Sequence, residues 1–151
     1  MKEQLNVHLN VDTAMTKTDV TVNTFDQEVG LNLVKHIQQY EIPRNKIGIK
    51  TADGVYLIVK SHIIFAEIFD KELTVVTTDG TYQTRMTLRR LQEALPDHQF
   101  IQISKSSIVN IEYITKVAPS FSGNLYATLS NRKKVTISRR YVKNLTKSLG
   151  I

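Results

Sequence analysis

Phe100-Ile101-Gln102-Ile103-Ser104-Lys105-Ser106-Ser107-Ile108-Val109-Asn110 decides how this chain is read. Alternating apolar residues lead into a tight polar tip of one lysine and three hydroxyls, and an apolar run follows. That is the pattern of two short strands joined by a narrow turn. The tip also has a chemistry. Hydroxyls and backbone N–H groups can fix a chain on a nucleic-acid backbone, and a lysine there can neutralise a phosphate or reach a base acceptor.

The same grammar extends to both sides. Ile47 to Thr51 and Val55 to Lys60 flank Asp53-Gly54, a strong hairpin signal. His62 to Phe69 and Glu72 to Thr78 are β-branched and aromatic runs around Asp70-Lys71. Thr87 to Leu95 interrupts the strands with a helical stripe of Leu88, Leu91 and Leu95 that Pro96 stops. Strands resume at Phe100 to Ile103, Ser107 to Ile114, Asn124 to Leu129 and Lys133 to Ile137. The end is helical, with Ser138 as N-cap, Val142, Leu145 and Leu149 as the stripe, and Gly150 as the stop. The fold class is therefore mainly β, of the α+β kind. Phe65, Phe69, Tyr82, Phe100 and Tyr126 are assigned to packing.

Before residue 46 the pattern differs. Leu5, Val7, Leu9 and Val11 alternate with polar residues, Val20 and Val22 alternate again, and a loose hairpin is expected. Thr24 and Gln27 have capping-box spacing ahead of Val29, Leu33, Val34 and Ile37, a helix that Pro43 would close. Residues 1–45 are read as a small ββα appendage, too small for a core of its own, and 46–151 as the main domain.

Composition narrows the function. The chain has 151 residues, 41% of them apolar and 23% charged, as in a globular protein. It shows no membrane-spanning run and no signal peptide, so a cytoplasmic location is expected. Zero cysteine excludes disulfides, thiolate metal sites and zinc fingers. His8, His36, His62 and His98 show no metal-ligand spacing, no GxSxG elbow surrounds a serine, and the six glycines are scattered singly. No catalytic residue, metal, cofactor or small-molecule substrate is expected.

The net charge of +6 is unevenly placed. Residues 1–45 carry four bases and six acids, and residues 46–97 carry seven of each. Residues 98–151 carry nine bases against Glu112 alone, which suggests a polyanionic partner. Within that span, Ser138-Arg139-Arg140-Tyr141 opens a helix with two cations. The helix dipole disfavours cations there by a few tenths to about 1 kcal/mol, so an anion site is the better explanation.

Residues 100–110 resemble the signature of the LytTR family, an aromatic-led strand followed by Ser-Lys-Ser and Ile-Val-Asn. Ser138-Arg139-Arg140-Tyr141 resembles its closing Ser-Arg motif, and the resemblance covers residues 46–151. It implies an elongated β-β-β domain whose inter-strand loops enter successive DNA major grooves. Carried over by residue, it implies Lys71 and Glu72 as one base contact, Lys105 as a second, and Arg140 with Arg139 as a third. Ser104, Ser106, Ser138 and Lys143 would hold phosphates, and Asn110 would tie the loop together. Many members have histidine where Ser104 stands. The resemblance further implies double-stranded DNA with repeated half-sites, a homodimer, and a transcriptional role. Residues 1–45 are too short for a receiver domain and resemble instead the start of stand-alone regulators restrained by a small membrane protein.

Two other functions compete. An RNA-binding module would suit a basic β-rich chain but calls for aromatics on an open sheet. A protein-interaction module without a nucleic-acid role would use the strand from Leu5 to Val11.

Overall fold

The computed structural model describes residues 4–40 and 44–151. They form two compact units, Met1–Ile42 and Pro43–Ile151.

In the first unit, residues 4–25 contain no strand, so of the expected ββα arrangement only the helix forms. A two-stranded ribbon with no further strand or helix against its apolar face is marginal, and Val7, Leu9 and Val11 are more than 70% exposed. Helix α1 spans Gln27–Gln38. Its N-cap is Asp26, not Thr24: Asp26 Oδ1 accepts from the N–H groups of Glu28 and Val29 at 2.9 and 3.3 Å. Thr24 Oγ1 instead accepts from Asp26 N–H. Pro43, expected to close this helix, lies outside the described residues.

Among the described residues the second unit contains ten strands. β1 (Lys46–Thr51) and β2 (Gly54–Val59) form a hairpin. Asp53 fastens its turn by accepting from the hydroxyls of Thr51 and, at 2.6 Å, Tyr56. β3 (Ile63–Phe69), β4 (Glu72–Thr77), β5 (Thr81–Thr84), β6 (Phe100–Ser104) and β7 (Ser107–Asn110) build an antiparallel sheet in the order β5-β4-β3-β7-β6. β8 (Ile114–Pro119), β9 (Leu125–Leu129) and β10 (Lys134–Ile137) form a third sheet.

Successive side chains of the central sheet enter two cores. On one side Ile63, Ala66, Leu73, Val75 and Ile108 pack with Ile49 and Ile58 of the hairpin and with Leu88 and Leu91 of α2 (Leu88–Ala94). On the other, Ile64, Phe65, Ile103 and Val109 pack with Ala127, Leu129, Val135 and Ile137 and with Leu145 of α3 (Val142–Leu149). Burial of this kind contributes roughly 25 cal/mol for each Å² of apolar surface removed from water. The central sheet is covered on both faces, which fixes where its turns project.

Several local readings change. β5 and β8 were not foreseen, and the expected strand Ser107 to Ile114 breaks after Asn110. There a single turn of 3-10 helix, Ile111–Tyr113, redirects the chain, with Asn110 Oδ1 accepting from Glu112 N–H at 3.0 Å. Asn110 is fully buried, and its Nδ2 donates to the Ile63 carbonyl at 2.9 Å. It therefore ties β7 to the start of β3 rather than fastening the Ser-Lys-Ser loop. Ser138 likewise does not cap α3 with its side chain. A 3-10 turn, Arg139–Tyr141, intervenes, and the Ser138 carbonyl accepts from Tyr141 N–H at 2.8 Å.

Candidate nucleic-acid interface

Antiparallel pairing places several turns at one end of the central sheet. Glu67 of β3 faces Ser107 of β7, and Phe69 faces Glu72, so the β3–β4 and β6–β7 turns project the same way. Ile68 N–H donates to the Ser106 carbonyl at 2.7 Å, which locks the two turns side by side. Ser138 N–H donates to the Ile103 carbonyl at 2.9 Å, so the turn after β10 joins the same end.

The β6–β7 turn is Lys105-Ser106. Ser104 Oγ is in hydrogen-bond contact with Ser107 Oγ and, at 3.4 Å, with Ser106 Oγ, and it accepts from Ser106 N–H at 3.2 Å. The hydroxyl of Ser104 is thus committed largely to shaping the turn. Lys105 is exposed at the tip.

The turn after β10 is held from outside. Arg139 N–H donates to Asn124 Oδ1 at 2.9 Å, which anchors it to the β8–β9 loop. Gly123, with φ of +80°, lets the Arg139 stem lie against it: a Cβ there would meet Arg139 Cδ at 3.0 Å. Ser104, Lys105, Ser106, Ser138, Arg139 and Arg140 line one open hollow, joined by Ser122, Asn124 and Tyr141. Six of the nine residues singled out in the sequence therefore meet in one place.

The other three do not. Lys71 occupies the β3–β4 tip with Asp70, both in the left-handed region at φ of 63° and 48°. This is the turn geometry whose twist matches the flanking strands, at a conformational cost for lysine. Glu72 lines a different hollow, with Lys50, Arg85 and Arg90. Lys143 is exposed on α3 and outside the residues lining the Lys105 hollow.

Lys71, Lys105, Arg139 and Arg140 are all exposed, and none takes part in an ion pair among the described residues. The two regions differ in sign. The Lys105–Arg140 hollow is lined by cations, hydroxyls and amides alone, whereas Asp70 and Glu72 flank Lys71. Carboxylates repel phosphate but can accept from the amino group of cytosine, so the Lys71 tip suits a base edge better than a backbone. Part of the basic surplus lies elsewhere. Arg132, Lys133 and Lys134 sit at the β9–β10 turn, at the other end of the third sheet. Lys133 Nζ is 5.0 Å from the Phe65 ring centroid, and Lys134 Nζ is 5.0 Å from that of Tyr126.

Two aromatics join the interface unforeseen. Phe69, read from sequence as a packing residue, is 80% exposed beside the Lys71 turn, and Phe121 is 88% exposed in the β8–β9 loop. Phe69 follows Glu67 by two positions on the same strand face, and that outward charge was the available signal.

A β scaffold that gathers cations and hydroxyls from neighbouring turns at one sheet end offers a surface suited to a polyanion. Its α2 and α3 are separated by five strands, so among the described residues these two helices form no helix–turn–helix. Residues 53–150 match the LytTr DNA-binding domain family, and the chain belongs to it. A solved LytTr DNA-binding domain from Bacillus cereus superposes with a TM-score of 0.66 at 26% identity, over 72% of this chain and 99% of that one. The sensory transduction protein LytT of Bacillus subtilis is 29% identical over 125 residues, 83% of this chain and 52% of that protein. The chain thus spans about half the length of that relative. An uncharacterized HTH-type transcriptional regulator of Staphylococcus aureus is 26% identical over 98% of this chain and 99% of its own length. No helix among the described residues is long and apolar enough to cross a membrane.

Proposed function

We propose that the chain is a non-enzymatic, cytoplasmic transcription regulator that binds double-stranded DNA by sequence, using its turns rather than a helix. The observation that carries this reading is the meeting of Lys105 with Arg139 and Arg140 in one hollow free of carboxylates. Arginine and lysine at such tips can pair with guanine O6 and N7 in the major groove, while Ser106 and Ser138 hold adjacent phosphates. An RNA-binding sheet of the stacking kind needs an open aromatic face. Both faces of the central sheet here are buried in cores, which favours duplex DNA.

Titrating a duplex selected from a random pool, its separated strands and a matched RNA at two salt concentrations tests this. The duplex should win at both, and Arg140→Ala should lose roughly ten- to a hundredfold in specific affinity with its thermal unfolding unchanged. Equal binding of all three nucleic acids, or an unchanged footprint for Arg140→Ala, would count against it.

A homodimer is the assembly we favour, because Leu5, Val7, Leu9 and Val11, which alternate with polar residues in sequence, are all exposed and a second chain could cover them. Repeated half-sites and restraint by a small membrane protein rest on the family resemblance. Sedimentation of the full chain against a variant with Val7 and Leu9 changed to serine tests the dimer. A dimer unaffected by both changes would place the contact elsewhere.

A further inference from the structure

We propose that Lys50, Arg85 and Arg90 form a separate backbone clamp, which grips phosphates of the duplex beyond the segment whose bases the Lys71, Lys105 and Arg140 turns approach. The inference rests on the DNA-binding reading above and adds a second contact region to it. Arg85 directly follows β5, and Thr84 pairs with Leu73 at the start of β4, so Arg85 emerges at the same sheet end as Lys71 and Lys105. β5 is the outermost strand on one side and β6 on the other. Four inter-strand spacings separate them, about 19 Å at 4.7–4.9 Å each. A duplex laid along that end advances about one base pair per 3.4 Å, so Arg85 would meet backbone roughly five or six base pairs from the bases that Lys105 approaches.

Three elements converge there. Lys50 comes from β1, Arg85 from the end of β5 and Arg90 from α2, and they line one open hollow with Thr51, Gln83 and Glu72. All three cations are exposed, and among the described residues none is ion-paired. Glu93, which pairs with Arg89 at 3.1 Å, leaves Arg90 without that partner. Glu72 is the one carboxylate in the lining, so the hollow keeps a net positive charge. No core packing or turn geometry requires three cations at this place. A polyanion explains them, and point-charge contacts from three elements suit phosphate rather than base readout.

The test uses the full chain and a duplex that it selects from a random pool, in a long form and in a form trimmed to the base pairs protected by the Lys105 side. Wild type should bind the long form more tightly. Arg85→Ala/Arg90→Ala should remove that length advantage and make the slope of log affinity against log salt shallower by about 2 per subunit, while its preference for the selected over a scrambled sequence stays intact. Arg85→Lys/Arg90→Lys should restore both, since a phosphate contact needs charge rather than a planar fork. If the alanine pair leaves slope and length dependence untouched while Arg140→Ala still loses specific binding, the clamp is overturned and the DNA reading stands. If wild type prefers no duplex at all, both fall together.

Discussion

Arg139 donates its backbone N–H to Oδ1 of Asn124 at 2.9 Å, so the position of the arginine pair depends on a side chain fifteen residues away in the β8–β9 loop. That loop also supplies Gly123, against which the Arg139 stem rests. The turn is therefore oriented by its neighbour and not by its own helix, since α3 begins only at Val142. Asn124→Ala should loosen the turn, costing about 1 kcal/mol of stability for the lost bond. Affinity for the selected duplex should fall roughly five- to tenfold, because a misplaced guanidinium loses part of a contact worth about 1–3 kcal/mol. Fluorescence anisotropy with labelled duplex measures this, and an affinity equal to wild type would show that the turn holds its shape unaided.

Asn110 makes the opposite kind of contribution. It is fully buried, with its amide donating to Ile63 and its oxygen accepting from Glu112. Asn110→Ala leaves a buried carbonyl and an N–H without those partners, at a cost of about 1–3 kcal/mol each where water cannot enter. The midpoint of urea unfolding should drop clearly. DNA affinity measured on the fraction that remains folded should change little, since Asn110 lies at the far end of β7 from Lys105. A lost affinity with an undiminished midpoint would return Asn110 to the loop.

Phe69 is 80% exposed at the end of β3, where a ligand can reach its ring. Beside the Lys71 tip, the ring is placed for apolar contact with a thymine methyl or a sugar. Phe69→Ser should leave the fold intact, and a selection experiment reads its effect directly: preference for thymine at one position of the site should weaken. An identical selected sequence would remove Phe69 from the interface.

The parts of this molecule legible in its sequence are those set by local pattern. β-branched and aromatic runs mark β3 and β4, alternation leading into a polar tip marks β6, and the helical stripe with its stop marks α2 and α3. What escaped depends on partners distant in the chain. β5 is a short polar strand, Thr81–Thr84, that exists because β4 offers it an edge. Residues 5–11 alternate as perfectly as any strand, yet no described neighbour pairs with them. The site shows the same division. Lys105, Arg139 and Arg140 announce themselves by charge in unusual places, while Lys50, Arg85 and Arg90 come from three elements that only the tertiary fold brings together. The family resemblance pairs Glu72 with Lys71, whereas the structure leaves Lys71 in the turn and puts Glu72, the first residue of β4, in the lining of the Arg85 hollow.

Lys105 tests which kind of contact the central turn makes. Its side chain stands exposed at a tip whose hydroxyls are engaged with one another, so the turn presents the lysine while Ser104 keeps its shape. If Lys105 neutralises a phosphate, Lys105→Ala should weaken binding to every duplex alike and make the salt slope shallower by about 0.9 per subunit. If it reaches a base, the variant should lose preference at one position of the selected site and keep its non-specific affinity. The second outcome is expected, because Ser106 and Ser138 stand in the same hollow to hold the backbone. Affinities for selected and scrambled duplexes across a salt series separate the two. A uniform loss would assign Lys105 to the backbone, and no loss in either duplex would show that this turn does not face DNA.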